Sequence, residues 1–351
     1  MKIDTGLAVD DLRHVPRVAR AAEETGFDAL WSSETQHDPF LPLALAAEHT
    51  EQIELGTAIA VAFARNPMSV AYIAWDLAKL SQGRFILGLG TQVKGHIARR
   101  FSMPWDAPAP RLREFIQALR AIWDTWQNGA RLNFRGDFYK HTLMSPFFNP
   151  GPIDHPDIPI YIAGVNEHLC RLAGELCDGF HVHGFHTVKY LEESILPNIQ
   201  QGLDKAGRTR EDIQLASSVF IITGTDQSEM DQSREEVRAQ ISFYASTPSY
   251  RPVFACHGWA DVAEKLSRLA ARGKWMEMPA LVPDEMLSVF AVEGKWEDLP
   301  AKIIDKYEGL LDRVVYYYLS QQPGLEPERW QPVVAAFHDS AMKREFDSPA
   351  S

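Results

Sequence analysis

Short apolar runs alternate along the chain with longer segments whose apolar residues recur every three or four positions. Residues 3–8 read as a strand, after which Leu12, Val15, Val18, Ala19 and Ala22 keep helical spacing until Gly26, a C-terminal stop. Residues 27–31 form a second apolar run, and 39–49 a helix opened by Asp38-Pro39, where proline loses no intrahelical bond. The alternation continues with strands at 53–59 and 84–89, a helix at 67–80 between them, and a Gln82-Gly83 turn signal. Residues 111–126 make the clearest amphipathic helix, with Leu112, Phe115, Ile116, Leu119, Ile122, Trp123 and Trp126 on one stripe. Strands follow at 158–163, 180–183 and 213–222, then a long helical region from about 228 to 310, and a last strand at 313–318.

Strands separated by helices in this rhythm predict a (β/α)8 TIM barrel, with a doubly wound sheet as the alternative. The whole chain, 1–351, then makes one barrel domain with two insertions. One lies near 129–157, where 131–134 and 138–141 flank a Gly136-Asp137 turn. The other lies near 247–300, as an insertion or a separate lobe. A final helix near 331–342 and a tail at 347–351 complete the pattern.

Composition narrows the function. With 45% hydrophobic residues the chain can build a large core, which excludes intrinsic disorder. A net charge of −12 argues against nucleic acid, which needs a basic face. The start of the chain shows no apolar targeting segment and no stretch is long enough to cross a bilayer, so a cytoplasmic protein is expected. Three cysteines, two of them on one expected helix, read as buried small hydrophobes in a reducing compartment.

In a barrel the loops after the strands gather at one face, and that face holds the site. Those loops carry Glu34 and His37, then Arg65-Asn66-Pro67, then Gly88, Gly90, Thr91 and Gln92, then Ala163, Gly164, Val165 and Asn166, then His181, His183 and His186. Gly88-Leu89-Gly90 lacks the third glycine of a dinucleotide fingerprint, because position 93 is Val93. The glycines suit either a close backbone approach to a phosphate or ring, or a corner of the barrel. Lys94, Arg99 and Arg100 follow at once, and with helix-start amides would suit an anion. His181 and His183 on one strand could bind a metal, the basis of a metal-dependent barrel hydrolase reading, but no aspartate at a strand end completes such a set. No serine nucleophile elbow and no phosphate-binding Walker loop is present.

Several segments together resemble one family. Residues 54–59 (ELGTAI), 65–68 (RNPM), 80–91 (LSQGRFILGLGT), 108–114 (PAPRLRE) and the Ala163-Gly164 and Ala173-Gly174 pairs are similar to the bacterial luciferase-like flavin/deazaflavin oxidoreductases. Residues 33–40 (SETQHDPF) and 91–101 (TQVKGHIARRF) resemble the branch that uses coenzyme F420 rather than FMN. The resemblance implies a barrel with the cofactor ring in its mouth and a non-proline cis peptide after the third strand, by position Ala58–Ile59. It also implies phosphate contacts from Gly90, Thr91 and Gln92 and from Gly164, Val165 and Asn166, with Ala163 beside them. Hydride transfer between F420 and a small organic substrate follows, with an FMN-dependent monooxygenase as the alternative. Glu34 and His37 are then the candidates for managing the proton, with His96 and His183 behind them. No metal and no membrane partner is expected, and a homodimer or higher homo-oligomer is.

Overall fold

Eight parallel strands close into a barrel in the computed structural model, which describes residues 1–317 and 326–347, with side chains to Ser340. In chain order they are β1 (Lys2–Gly6), β2 (Ala29–Ser32), β3 (Glu54–Thr57), β4 (Phe85–Gly90), β5 (Ile160–Gly164), β6 (Gly179–Val182), β7 (Gln214–Ile222) and β8 (Arg313–Tyr317). Each pairs with the next, and β8 returns to β1 through Val314↔Ile3, so the eight-strand ring is closed; a short strand, Val292–Glu293, adds to the end of β7 through Ile221 and Ile222. The doubly wound alternative is excluded by this closure.

The strands run apolar because helices cover one face and the barrel interior the other; all six residues of β4 are buried. Outside, strands and helices share one large core, to which the helix Pro108–Asn128 contributes its whole predicted stripe. The helix Pro67–Leu80 shows why local sequence suffices at many boundaries. Asn66 caps it by accepting from the Met68 N–H at 2.9 Å, and it ends at a turn where Gln82 and Gly83 take positive φ.

Inside the barrel a smaller apolar group, Ala29, Trp31, Ile86, Tyr161 and Ala216, packs around a charged plug. Arg313 is 1% exposed and grips Asp4 with two bonds of 2.8 and 2.9 Å. It also reaches Glu54 at 2.6 Å, and Trp31 donates its indole N–H to Asp4 at 2.8 Å. These residues sit toward the N-terminal ends of the strands and seal that end.

The third strand is shorter than expected from 53–59. It stops at Thr57, the Ala58–Ile59 peptide is cis, and Ala60–Val61 pairs separately with Leu89–Gly90. The segment 129–157 holds a two-stranded hairpin, Phe134–Arg135 with Lys140–His141, followed by irregular chain. Between β7 and β8 lie helices Gln227–Ser246, Arg251–Ala255, Ala260–Ala271, Asp284–Phe290 and Leu299–Tyr307. Cys177 lies just beyond the helix Glu167–Leu176 that holds Cys170, and all three cysteines are free thiols. The last helix is Pro327–Asp347; Tyr318 and the end of the expected tail fall outside the described residues. No helix among the described residues is long and apolar enough to cross a membrane.

Candidate active site

The C-terminal ends of the strands open into a cavity of about 720 Å3, within the usual range for a cofactor site. Its floor is apolar, made by Trp31, Ala58, Ile59, Val182, Ala216 and Val315. One rim is Gly90, Thr91, Gln92, Val93 and Lys94; a second is Ala163, Gly164, Val165 and Asn166. Asn166 caps the helix Glu167–Leu176 by accepting from the Leu169 N–H at 3.0 Å, so that helix begins at the rim with first-turn amides directed outward. A concavity of about 800 Å3 around Arg120, Asp124 and Asp178 lies at the opposite end of the barrel, where chemistry has no convergent groups.

All nine residues expected at the cofactor line this cavity: Ala58, Ile59, Gly90, Thr91, Gln92, Ala163, Gly164, Val165 and Asn166. The reason for two of the glycines differs from the expectation of close approach by a ligand. A Cβ at Gly90 would lie 2.6 Å from the Ile59 side chain, and one at Gly164 would lie 2.5 Å from Leu169. Both are small because the protein itself fills the space. Gly88 and Gly90 lie within β4, not in a strand-to-helix turn.

The four expected proton carriers separate. His183 lines the cavity. Glu34 does not: its carboxylate accepts from the Val61 N–H at 2.7 Å and from Arg65 at 2.6 Å, and its own N–H donates to Ile59 O at 3.2 Å. It thereby braces the segment around the cis peptide from behind. His37 borders a neighbouring depression of about 280 Å3 with Gln36 and Asp38. His96 is exposed on the short helix Lys94–Arg99. Of the expected basic cluster only Lys94 lines the cavity, while Arg100 donates to Thr35 O at 2.7 Å.

His181 on β6 and His183, one residue past its end, line the same cavity but meet different partners. His181 packs edge-on against Trp31 with centroids 4.8 Å apart, and His183 binds protein groups through both ring nitrogens. Among the described residues no three His, Cys, Asp or Glu side chains converge as a metal set, so the hydrolase reading loses its ligands. Burial pushes His181 down to about 3 and His183 to about 4, which keeps both rings neutral near pH 7.

Sequence reasoning passed over the aromatic wall. Trp105, Tyr244, Tyr250 and Tyr317 all line the cavity, and the Tyr244 and Tyr317 hydroxyls lie 2.9 Å apart. Tyr250 Oη lies 3.0 Å from His183 Nε2. The one available signal was the turn-forming Thr247-Pro248-Ser249 just before Tyr250, which says nothing about a histidine 67 positions away.

Comparison with known proteins agrees with this architecture. The profile of the luciferase-like monooxygenase family matches residues 2–313. An uncharacterized protein of Mycobacterium tuberculosis is 46% identical over 320 residues, covering 91% of this chain and 94% of that one. A 5,10-methylenetetrahydromethanopterin reductase of Archaeoglobus fulgidus is 27% identical over 276 residues, covering 76% and 78%. Among solved structures, the coenzyme F420 dependent tetrahydromethanopterin reductase of Methanopyrus kandleri superposes with a TM-score of 0.77 at 20% identity, over 97% of this chain and 99% of that one.

Proposed function

Because the chain belongs to the luciferase-like monooxygenase family, we propose that it is an F420-dependent oxidoreductase acting on a small organic substrate. The observation that carries the reading is the cavity: an apolar floor facing two backbone-rich rims, with Lys94 and no Arg, Asp or Glu among the described lining residues. An elongated cofactor with a flat ring and an anionic tail fits that distribution, ring on the floor and phosphate at the rims. The position of a Cβ on Gly6, in the same wall, has nothing within 4 Å, which marks open space above the strand ends. The F420 dependence printed for the Methanopyrus kandleri enzyme, and the reductase activity of the Archaeoglobus fulgidus relative, support the same choice.

A bound deazaflavin supplies a carbon centre that gives or takes hydride. The chain supplies the rest. Ile59, Ala58, Val182 and Val315 present a surface against which a ring can lie. Gly164, Val165 and Asn166, with the helix start behind them and Lys94 on the rim that follows the neighbouring strand, could hold a phosphate. Trp105, Tyr244 and Tyr317 close the wall and exclude water, which strengthens every polar contact inside. His183 and Tyr250 line the same cavity with imidazole and hydroxyl 3.0 Å apart, and a phenol held in this way can give a proton.

Titration of the protein with F420 and with FMN side by side tests the reading. F420 should bind at least tenfold more tightly. Tighter FMN binding with oxygen consumption on reduction would establish the FMN-dependent monooxygenase alternative instead.

A further inference from the structure

We propose that Tyr250, oriented by His183, is the proton donor to the substrate oxygen, and that the substrate is a neutral ketone or aldehyde. The inference rests on the hydride-transfer reading above and assigns the part of the chemistry that reading leaves open.

The argument begins with a tautomer. The Phe185 backbone N–H donates to His183 Nδ1 at 3.1 Å, so Nδ1 must carry a lone pair. Burial keeps the ring neutral, and a neutral imidazole has a single N–H. That hydrogen is therefore on Nε2. The Nε2–H faces Tyr250 Oη at 3.0 Å and donates to it. The phenol oxygen thus accepts from the imidazole, and its own hydrogen is free for a third group. His183 itself has no site for a further proton while Phe185 holds Nδ1, which removes it as the base or acid and leaves it as a positioning residue.

Tyr250 is fixed for this task. Its ring stacks on His183 with centroids 4.4 Å apart and meets Tyr244 edge-on at 5.8 Å and Phe185 at 5.9 Å. Its backbone N–H donates to Thr247 O at 3.0 Å, closing the turn that carries it to the cavity. Burial pushes the phenol up to about 12, so it stays protonated in neutral solution yet remains more acidic than a developing alkoxide. The Tyr244–Tyr317 pair shares one hydroxyl hydrogen between its two oxygens, and nothing orders which one gives it.

The same wall selects the substrate. Apart from Lys94, the polar groups of the described lining residues are hydroxyls, amides, indoles and neutral imidazoles, with no second cationic side chain among them to receive a carboxylate or phosphate. In the reduction, the carbonyl carbon receives hydride from the reduced deazaflavin and the C=O π pair moves onto oxygen. That oxygen takes the Tyr250 Oη proton, giving an alcohol and oxidised deazaflavin. The phenolate left behind keeps the His183 Nε2–H donor and regains its proton from water.

The test uses the full chain loaded with reduced F420, with cyclohexanone and benzaldehyde as neutral probes and pyruvate as the anionic one. The wild type should turn over a neutral probe faster than pyruvate. Tyr250→Phe should lose at least 100-fold in kcat with F420 affinity changed less than threefold. His183→Gln, whose amide can donate to Tyr250, should retain turnover within tenfold, while His183→Ala should fall with Tyr250→Phe. Independently of turnover, 15N NMR of the His183 ring should show the Nε2–H tautomer, in the wild type and in Tyr250→Phe alike. An Nδ1–H tautomer overturns the proposal, as does full activity in Tyr250→Phe or a loss confined to Tyr317→Phe. Preference for pyruvate, or no reduction of either neutral probe by the loaded wild type, overturns the substrate class. Failure of the wild type to bind F420 at all is a separate result, and sinks the hydride-transfer reading itself.

Discussion

The two ends of the barrel are built from the same eight strands and solve opposite problems. At the N-terminal end the interior is charged and paired: Arg313 is shared by Asp4 and Glu54, and Lys2 supplies Glu54 with a second cation. At the C-terminal end the interior is open and, apart from Lys94 at the rim, lined by neutral groups, with imidazoles and phenols around a cavity of about 720 Å3. Buried charge is tolerated where partners are permanent, since full pairing offsets desolvation. Where a substrate must come and go, a lone buried charge would face vacancy half the time, and neutral polar groups avoid that penalty. Stability is fixed at one end, and reactivity at the other.

This contrast can be broken most directly at Arg313. Arg313→Ala strands Asp4 without its partner and should cost about 3–5 kcal/mol of folding stability, read as a lower denaturant midpoint. A loss below 1 kcal/mol would mean that the plug is not what closes the lower end. Acidification probes the upper end. The folded-state values of His183 and His186 are depressed to about 4 and that of His181 to about 3, against 6.5 when unfolded. The unfolded chain therefore binds more protons below pH 6.5, and stability falls as pH drops from there toward 4. Summed over these three rings the loss between pH 7.5 and 6 should be about 2 kcal/mol, measured by thermal melts in matched buffers. A flat profile across that range would show these three buried histidines already charged. The smallest effect is expected at Glu34, which stands at the C-terminal end but behind the cavity floor, paired with Arg65. Glu34→Gln keeps an acceptor for the Val61 N–H but weakens the bond to Arg65, and should cost about 1 kcal/mol. A 100-fold drop in turnover at unchanged stability would instead restore it as a proton carrier.

The barrel was legible in the sequence because parallel strands covered on both faces read as short unbroken apolar runs, and RFILGL at 84–89 is the plainest of them. Where the pattern ran past its true limit, at Ala58 and Ile59, the side chains stayed apolar while the backbone left the ladder. Periodicity reports burial, and both residues line the cavity floor. The nine residues expected at the cofactor came from motifs whose members are close in sequence, and all nine line one cavity. Glu34 and Tyr250 show the limit of that route. The first is answered by Arg65, 31 residues on, and the second by His183, 67 residues back. Neither partner is visible until the chain is folded, so an acid at a strand end looked reactive and a tyrosine in a turn looked incidental.

Tyr250 reaches the mouth from the linker between Gln227–Ser246 and Arg251–Ala255, not from a barrel strand. The wall that meets substrate and the floor that would hold the cofactor are therefore inherited separately along the chain. Of the described cavity lining, Tyr244, Ser249 and Tyr250 come from the stretch between β7 and β8. Swapping residues 247–300 among homologues should move substrate preference between them as a unit.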